Sequence, residues 1–207
     1  MINSKKEEHS VSQPPKDSIL LETIEVSGFI SKATKADGQL IPLKQQSTKG
    51  EKLFLMVRKG DFQSYSGFKK DMNKILLIDI LGELNDNLTA IGHLDCIIEG
   101  SNAKGLGNIH SYLPPTNHAQ EISNSWNDFF TGFRVSEEYQ QQGIGSFMLA
   151  TALSILYNLG IKTMRIGVLL EPGLATWKRF GVKEKTVISI EEMLASQQAS
   201  QTIARFV

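Results

Sequence analysis

The 207-residue chain has a single cysteine, Cys96, so it forms no intramolecular disulfide. That accords with a reducing, cytoplasmic compartment. It has no surplus of either charge: 22 Lys and Arg stand against 22 Asp and Glu. A balance of this kind gives no general attraction to nucleic acid or to an anionic membrane surface, and a dedicated nucleic-acid binder is not expected. No run approaches the roughly 18 apolar residues of a membrane span. The first 17 residues lack the apolar segment of a secretory signal, so the Asn87-Leu88-Thr89 sequon is not expected to matter. The four histidines show no Cys/His spacing of a zinc site, and no metal is expected. What is present is ordinary: 41% hydrophobic and 21% charged residues, enough to bury a core without disulfide staples.

Residues 1–17, with Lys5-Lys6-Glu7-Glu8 and Pro14-Pro15, read as a disordered leader, and residues 18–207 as one domain. The run from Ile19 to Ile30 reads as a strand, residues 31–50 as loop, and Lys52 to Arg58 as a strand covered on both faces. Residues 61–73 fit a short helix or a loop. Lys74 to Leu81 and Leu88 to Ile98 are strands, joined at Asn85-Asp86-Asn87 into an antiparallel hairpin. Residues 99–125 form a long polar insertion, a length found in lids, binding loops and disordered segments. Phe129 to Val135 is the next strand, with Gly132 marking a bulge.

After it, Ile144, Phe147, Met148, Ala152, Ile155 and Leu159 keep helical spacing, with no charge between Ser146 and Gly160. A helix this apolar packs on two sides, and Gly160 is its natural stop. A strand over 163–170 then implies a crossover and a local pair of parallel strands. Pro172 opens a short helix ending at Gly181, residues 182–190 hold a last strand, and Ser189 with Glu192 caps a helix over about 190–205. The fold class is α/β, of the α+β kind, with a mixed, largely antiparallel central sheet and one β-α-β crossover.

The stretch Val135-Ser136-Glu137-Glu138-Tyr139-Gln140-Gln141-Gln142-Gly143-Ile144-Gly145-Ser146 joins an apolar strand to this helix. It carries no side chain suited to covalent chemistry. It offers backbone N–H groups at a helix start, where the dipole also favours an anion such as a pyrophosphate. The glycines allow close approach of a ligand. The stretch is not a P-loop, since no Gly-Lys-Ser/Thr follows, and Met148 stands where a dinucleotide fingerprint wants a third glycine.

These residues resemble the acetyl-CoA signature of the Gcn5-related N-acetyltransferases, Gln/Arg-x-x-Gly-x-Gly/Ala between a strand and a helix. Gln140, Gly143 and Gly145 fill its positions, and Trp177-Lys178-Arg179-Phe180-Gly181 matches the family's later aromatic–x–x–x–Gly. Glu137 stands where the family often has proline. The resemblance is specific over about residues 128–182 and topological over 74–98, with the motif-bearing core at 74–182. It implies a GNAT-like acyl-CoA N-acyltransferase fold, a V-shaped sheet with acetyl-CoA as co-substrate in the splay. The pyrophosphate would meet backbone N–H groups of Gln141, Gln142, Gly143, Ile144, Gly145 and Ser146. The pantetheine would pair with the strand Phe133, Arg134, Val135. An acceptor amine would attack the thioester directly, so no covalent nucleophile is needed. The family's Tyr, which protonates the leaving thiolate, is replaced by Trp177, and Leu170 stands near its usual Asn. Indole N–H donates a hydrogen bond but is no general acid at neutral pH.

For the base, Asp128 lies just before the flanking strand, although a solvated strand-end carboxylate is the simpler reading. Glu83, Asp95 and Glu99 have similar standing. His93 reads as a packed or edge histidine, His110 and His118 as loop residues within reach of a substrate, Cys96 as core, and Trp177 as packing beside the cofactor. Two functions follow from the resemblance: an N-acetyltransferase acting on an amine of a small molecule, peptide, lysine or aminoacylated RNA, or a weak or inactive module of the same fold that binds CoA or a protein partner. The oligomeric state is open, a homodimer included.

Overall fold

The computed structural model describes residues 16–62, 73–99, 102–105, 133–165, 176–180 and 187–207. Helix α1 (Lys16–Lys35) comes first, followed by β1 (Leu40–Gln46), β2 (Lys52–Phe62), β3 (Asn73–Leu84), β4 (Asn87–Glu99) and the short β5 (Asn102–Gly105). Then come β6 (Phe133–Val135), α2 (Ile144–Asn158), β7 (Thr163–Arg165), β8 (Val187–Ser189), α3 (Ile190–Leu194) and α4 (Gln197–Ala204). The described strands belong to one open sheet in the order β1-β2-β3-β4-β5-β7-β8, with β6 paired to β4 beside that path. Every pairing is antiparallel except β5 with β7. The fold is therefore mixed α+β with a mostly antiparallel open sheet. Among the described residues, no helix is long and apolar enough to cross a membrane.

The β3–β4 hairpin forms as the sequence predicts, and Asn85 and Asp86 both take left-handed backbone (φ 52° and 62°) in its turn. A bulge at Ile91 follows, since Ile80 pairs with Gly92 but Leu81 with Ala90. The strand after Lys52 also forms and runs on to Phe62.

The expected strand over Ile19–Ile30 is instead the middle of α1. Val26, Ile30 and Ala33 are buried at a spacing of four and three, whereas Ile24 is exposed. The helical period therefore governs, and the apolar run read as a strand does not. Lys16 and Asp17, assigned to the leader, belong to this helix, and residues 1–15 lie outside the described set. The expected loop over 31–50 holds the end of α1 and the whole of β1. β1 is an edge strand that tolerates Pro42 and exposes every other side chain, so its apolar signal is weak. Its outer edge is partly covered, for Lys44 N–H donates to the Phe206 carbonyl at 2.8 Å.

The polar insertion over 99–125 contains β5, which pairs with β4 on one side and β7 on the other. Backbone pairing alone suffices there, and the composition Asn-Ala-Lys-Gly does not announce it. This strand also changes the expected crossover. β6 and β7 run in the same direction, but β7 takes its parallel partner from β5, and β6 pairs only with β4 among the described residues. The helix expected over about 190–205 is two helices. Ser189 caps the first, its Oγ accepting the Glu192 N–H at 3.3 Å, and Ser196 opens the second. Of the segment expected to be a short helix after Pro172, the described part, 176–180, holds one helical turn with Trp177 and Phe180 buried.

The core lies between α1, α2 and α4 and one face of the sheet. Leu53, Leu55 and Val57 of β2 face it, with Leu76, Ile78 and Ile80 of β3 and Leu94 and Cys96 of β4. α2 is central and touches α1, α3 and α4 as well as β3, β4 and β6. Phe206, fully buried, stacks on Phe147 at 4.4 Å, with the ring planes 16° apart. This ties the last residues to the first turn of α2.

Candidate functional site

Residues 133–146 are built as a short strand, a 3-10 turn at Glu137–Tyr139, and a bend into α2. The bend has two left-handed residues, Gln141 (φ 63°) and Gly143 (φ 84°). For Gly143 this backbone is unstrained, while for Gln141 it costs about 1–2 kcal/mol and has to be held by its surroundings. Gly143 is the N-cap of α2 and has no side chain to cap with; its carbonyl accepts the Phe147 N–H at 2.9 Å. The N–H groups of Ile144, Gly145 and Ser146 precede any acceptor within the helix. No acidic residue lies in the first turn of α2. Glu138, in the turn before it, is paired with Lys49 at 3.1 Å, and Arg205 Nη1 lies 3.8 Å from where a Gly143 Cβ would be. The local field therefore suits an anion.

Gly145 marks the point where three elements meet. A Cβ there would lie 3.5 Å from Phe133 Cζ, 3.6 Å from Val135 Cγ2 and 3.7 Å from Thr176 Oγ1. The predicted strand residues Phe133, Arg134 and Val135 and the predicted turn residues Gln140 to Ser146 are thus brought together as one continuous unit. The side chains do more than the sequence indicates. Gln140 Nε2 donates to the Val135 carbonyl at 3.1 Å and closes the turn over the strand end. Gln142 points away to Thr48, with Nε2 to Thr48 Oγ1 at 2.8 Å and Thr48 N–H to Oε1 at 3.0 Å. Tyr139 is buried and donates to Glu51 Oε1 at 2.9 Å. Burial and this carboxylate push the Tyr139 hydroxyl pKa up.

A second polar group lies on the sheet face opposite the helices and was not foreseen as a unit. Arg58 Nη2 is 2.8 Å from Asp79 Oδ2, His93 Nδ1 is 2.6 Å from Asp79 Oδ1, and His93 Nε2 is 3.5 Å from Asp95 Oδ2. All four residues are buried, and Asp79 completely so. Burial alone would raise the Asp79 pKa, but His93 and Arg58 outweigh it and hold the carboxyl below its ordinary value. Burial would likewise lower His93, yet the charge of Asp79 and its hydrogen bond, with help from Asp95, push it up to about 9. With His93 protonated, two cations meet two carboxylates, which is the state a buried cluster favours. One signal for this cluster is readable in the sequence. Arg58, Asp79 and His93 each interrupt an apolar strand, and charged groups in buried strands need partners.

Of the candidate bases, Glu83 and Asp95 are engaged away from the turn. Asp128 lies outside the described residues, as do His110 and His118. Glu83 pairs with Lys52 at 3.5 Å near the hairpin end. Asp95 belongs to the buried cluster, and Glu99 ends β4. His93, protonated at neutral pH and set between two carboxylates, is not available as a base. Cys96 is fully buried, and burial, with Asp95 nearby, pushes its thiol pKa well up. Trp177 is packed into the core, with 3% of its surface exposed. Among the described residues, no group of His, Cys, Asp and Glu is arranged to hold a metal ion. No protein-family model matches the chain, and no curated protein matches it either.

Proposed function

We propose that the chain is an acetyl-CoA-dependent N-acetyltransferase of the Gcn5-related kind, acting in the cytoplasm on an amine. The observation that carries this reading is the β6–turn–α2 unit. It combines a glycine N-cap, first-turn amides without intrahelical acceptors, and a strand that pairs on one edge only among the described residues. The group fits the residues present. The pyrophosphate would be held by N–H groups between Gln141 and Ser146, and the pantetheine arm would pair along the second edge of Phe133, Arg134 and Val135. The acceptor amine attacks the thioester carbonyl, the C–N bond forms as the C–S bond breaks, and the amine proton passes to Asp128 or to water. The leaving thiolate needs no strong acid, since a thiol of this type has a pKa of roughly 8.5 by analogy with cysteine.

A second reading is favoured by one observation. Trp177, at the position of the family's acid, is buried in the core and supplies no proton. On that reading the chain binds CoA, or a protein partner, without turnover. Titration calorimetry with acetyl-CoA, followed by a thiol-release assay over an amine panel, separates the readings. The transferase binds tighter than millimolar and releases thiol above the buffer rate. Binding without release leaves the module, and affinity no tighter than millimolar removes both CoA-binding readings.

A further inference from the structure

The turn between β1 and β2 lies against the turn entering α2, although more than 85 residues separate them in the chain. Gln142 Oε1 and Nε2 bond the amide and hydroxyl of Thr48, and Gln45 Nε2 donates to the Gln142 carbonyl at 3.4 Å. Glu51 is buried and accepts from two hydroxyls, Tyr139 at 2.9 Å and Ser47 at 2.7 Å. Ser47 Oγ in turn accepts from the amides of Lys49 and Glu51, both at 3.2 Å, which shapes the β1–β2 turn itself. Lys49 pairs with Glu138 and lies 4.7 Å from the centre of the Tyr139 ring. These contacts flank Gln141, the one non-glycine residue of the bend in left-handed backbone. A strained residue keeps such a backbone only where its surroundings determine it, and here both neighbouring side chains, Gln140 and Gln142, are tied down.

We infer that the β1–β2 turn is a positioning brace for the anion-binding bend: Thr48 acting through Gln142, and Glu51 acting through Tyr139, set the direction of the backbone N–H groups that receive the pyrophosphate. The brace residues touch no reacting atom. They act through the bend, and the inference rests on the proposed acetyl-CoA site. It also explains why a buried carboxylate, Glu51, is kept at the sheet end: removing either hydroxyl partner leaves an acceptor short of a donor.

The discriminating experiment compares two thioesters on the full-length protein. Acetyl-CoA carries the pyrophosphate, and S-acetyl-N-acetylcysteamine does not. Thr48→Val, which removes the hydroxyl that Gln142 Nε2 bonds, and Tyr139→Phe are expected to weaken acetyl-CoA binding by about tenfold, the scale of one or two lost positioning hydrogen bonds. They should leave turnover of the short thioester unchanged, and Thr48→Ser, which keeps both bonding atoms, should retain wild-type affinity. Equal loss with both thioesters, or loss with neither, overturns the brace. If wild-type protein fails to bind acetyl-CoA, the proposed function itself falls and takes the brace with it.

Discussion

His93 Nδ1 lies 2.6 Å from Asp79 Oδ1, and the two residues are direct cross-strand partners in β3 and β4. The bond is therefore set by sheet register, and a one-residue slip of either strand would turn that strand's side chain into the apolar core and away from its partner. Its electrostatic consequence is a pH dependence of stability. His93 in the folded chain titrates at about 9 against 6.5 as a free side chain. The folded state holds the proton that the unfolded state has lost, so the contribution is complete below pH 6.5 and disappears as pH rises to 9. The loss is at most roughly 3 kcal/mol. Urea midpoints measured at pH 6 and at pH 9.5 should show this fall in the wild type and not in His93→Gln. A wild-type midpoint that stays level refutes the assignment.

Asp79 gives the opposite limb. Its folded pKa is held below 3.8, so its contribution is present above that value and is lost as pH falls through the folded pKa. Removing the charge leaves Arg58 and His93 buried without it. Asp79→Asn is expected to destabilise by about 3–5 kcal/mol in urea unfolding at neutral pH. A loss below about 1 kcal/mol, as for an exposed pair, would mean that the cluster is not desolvated.

Phe206 joins two elements to the core: its ring stacks on Phe147 of α2, its carbonyl receives the Lys44 N–H of β1, and its side chain is buried in the core. Phe206→Ala should cost about 3–5 kcal/mol, and Phe206→Leu, which keeps most of the volume, clearly less. Thermal and chemical denaturation would measure both, and a near-neutral Phe206→Ala would contradict this packing.

Gly92 faces α2 across the sheet, and a Cβ added there would sit 2.7 Å from Met148 Sδ. Because Met148 is fully buried, the sulfur has little room to yield. Gly92→Ala is expected to cost about 1–3 kcal/mol through overpacking. Combined with Met148→Ala, it should cost less than the sum of the two single changes, since the shortened side chain removes the collision. Additive costs would show that the two sites do not touch.

At the candidate site, the glycine bend and its two flanking elements were legible because their signals are contiguous. A strand end, Gly143, Gly145 and an uncharged helix lie within one short stretch. The brace was not legible, since nothing in Thr48 or Glu51 announces partners at Gln142 and Tyr139. For Arg58, Asp79, His93 and Asp95 the sequence shows charged groups interrupting apolar strands but not their grouping, because the members come from three strands and meet only in one register.

The sequence by itself determined what depends on neighbours along the chain. The period of α2, its stop at Gly160, the Asn85-Asp86 turn and the Ser189 cap each follow from local backbone preference or hydrophobic spacing. Only the tertiary structure decided which way ambiguous segments went. Ile19–Ile30 became helix because α2 and α4 offer its Val26–Ile30–Ala33 face a surface to bury against. Asn102–Gly105 became strand because β4 and β7 offer two edges to pair with. Backbone hydrogen bonds and buried charges are satisfied by whatever the fold brings near, and that proximity is not written in adjacent residues.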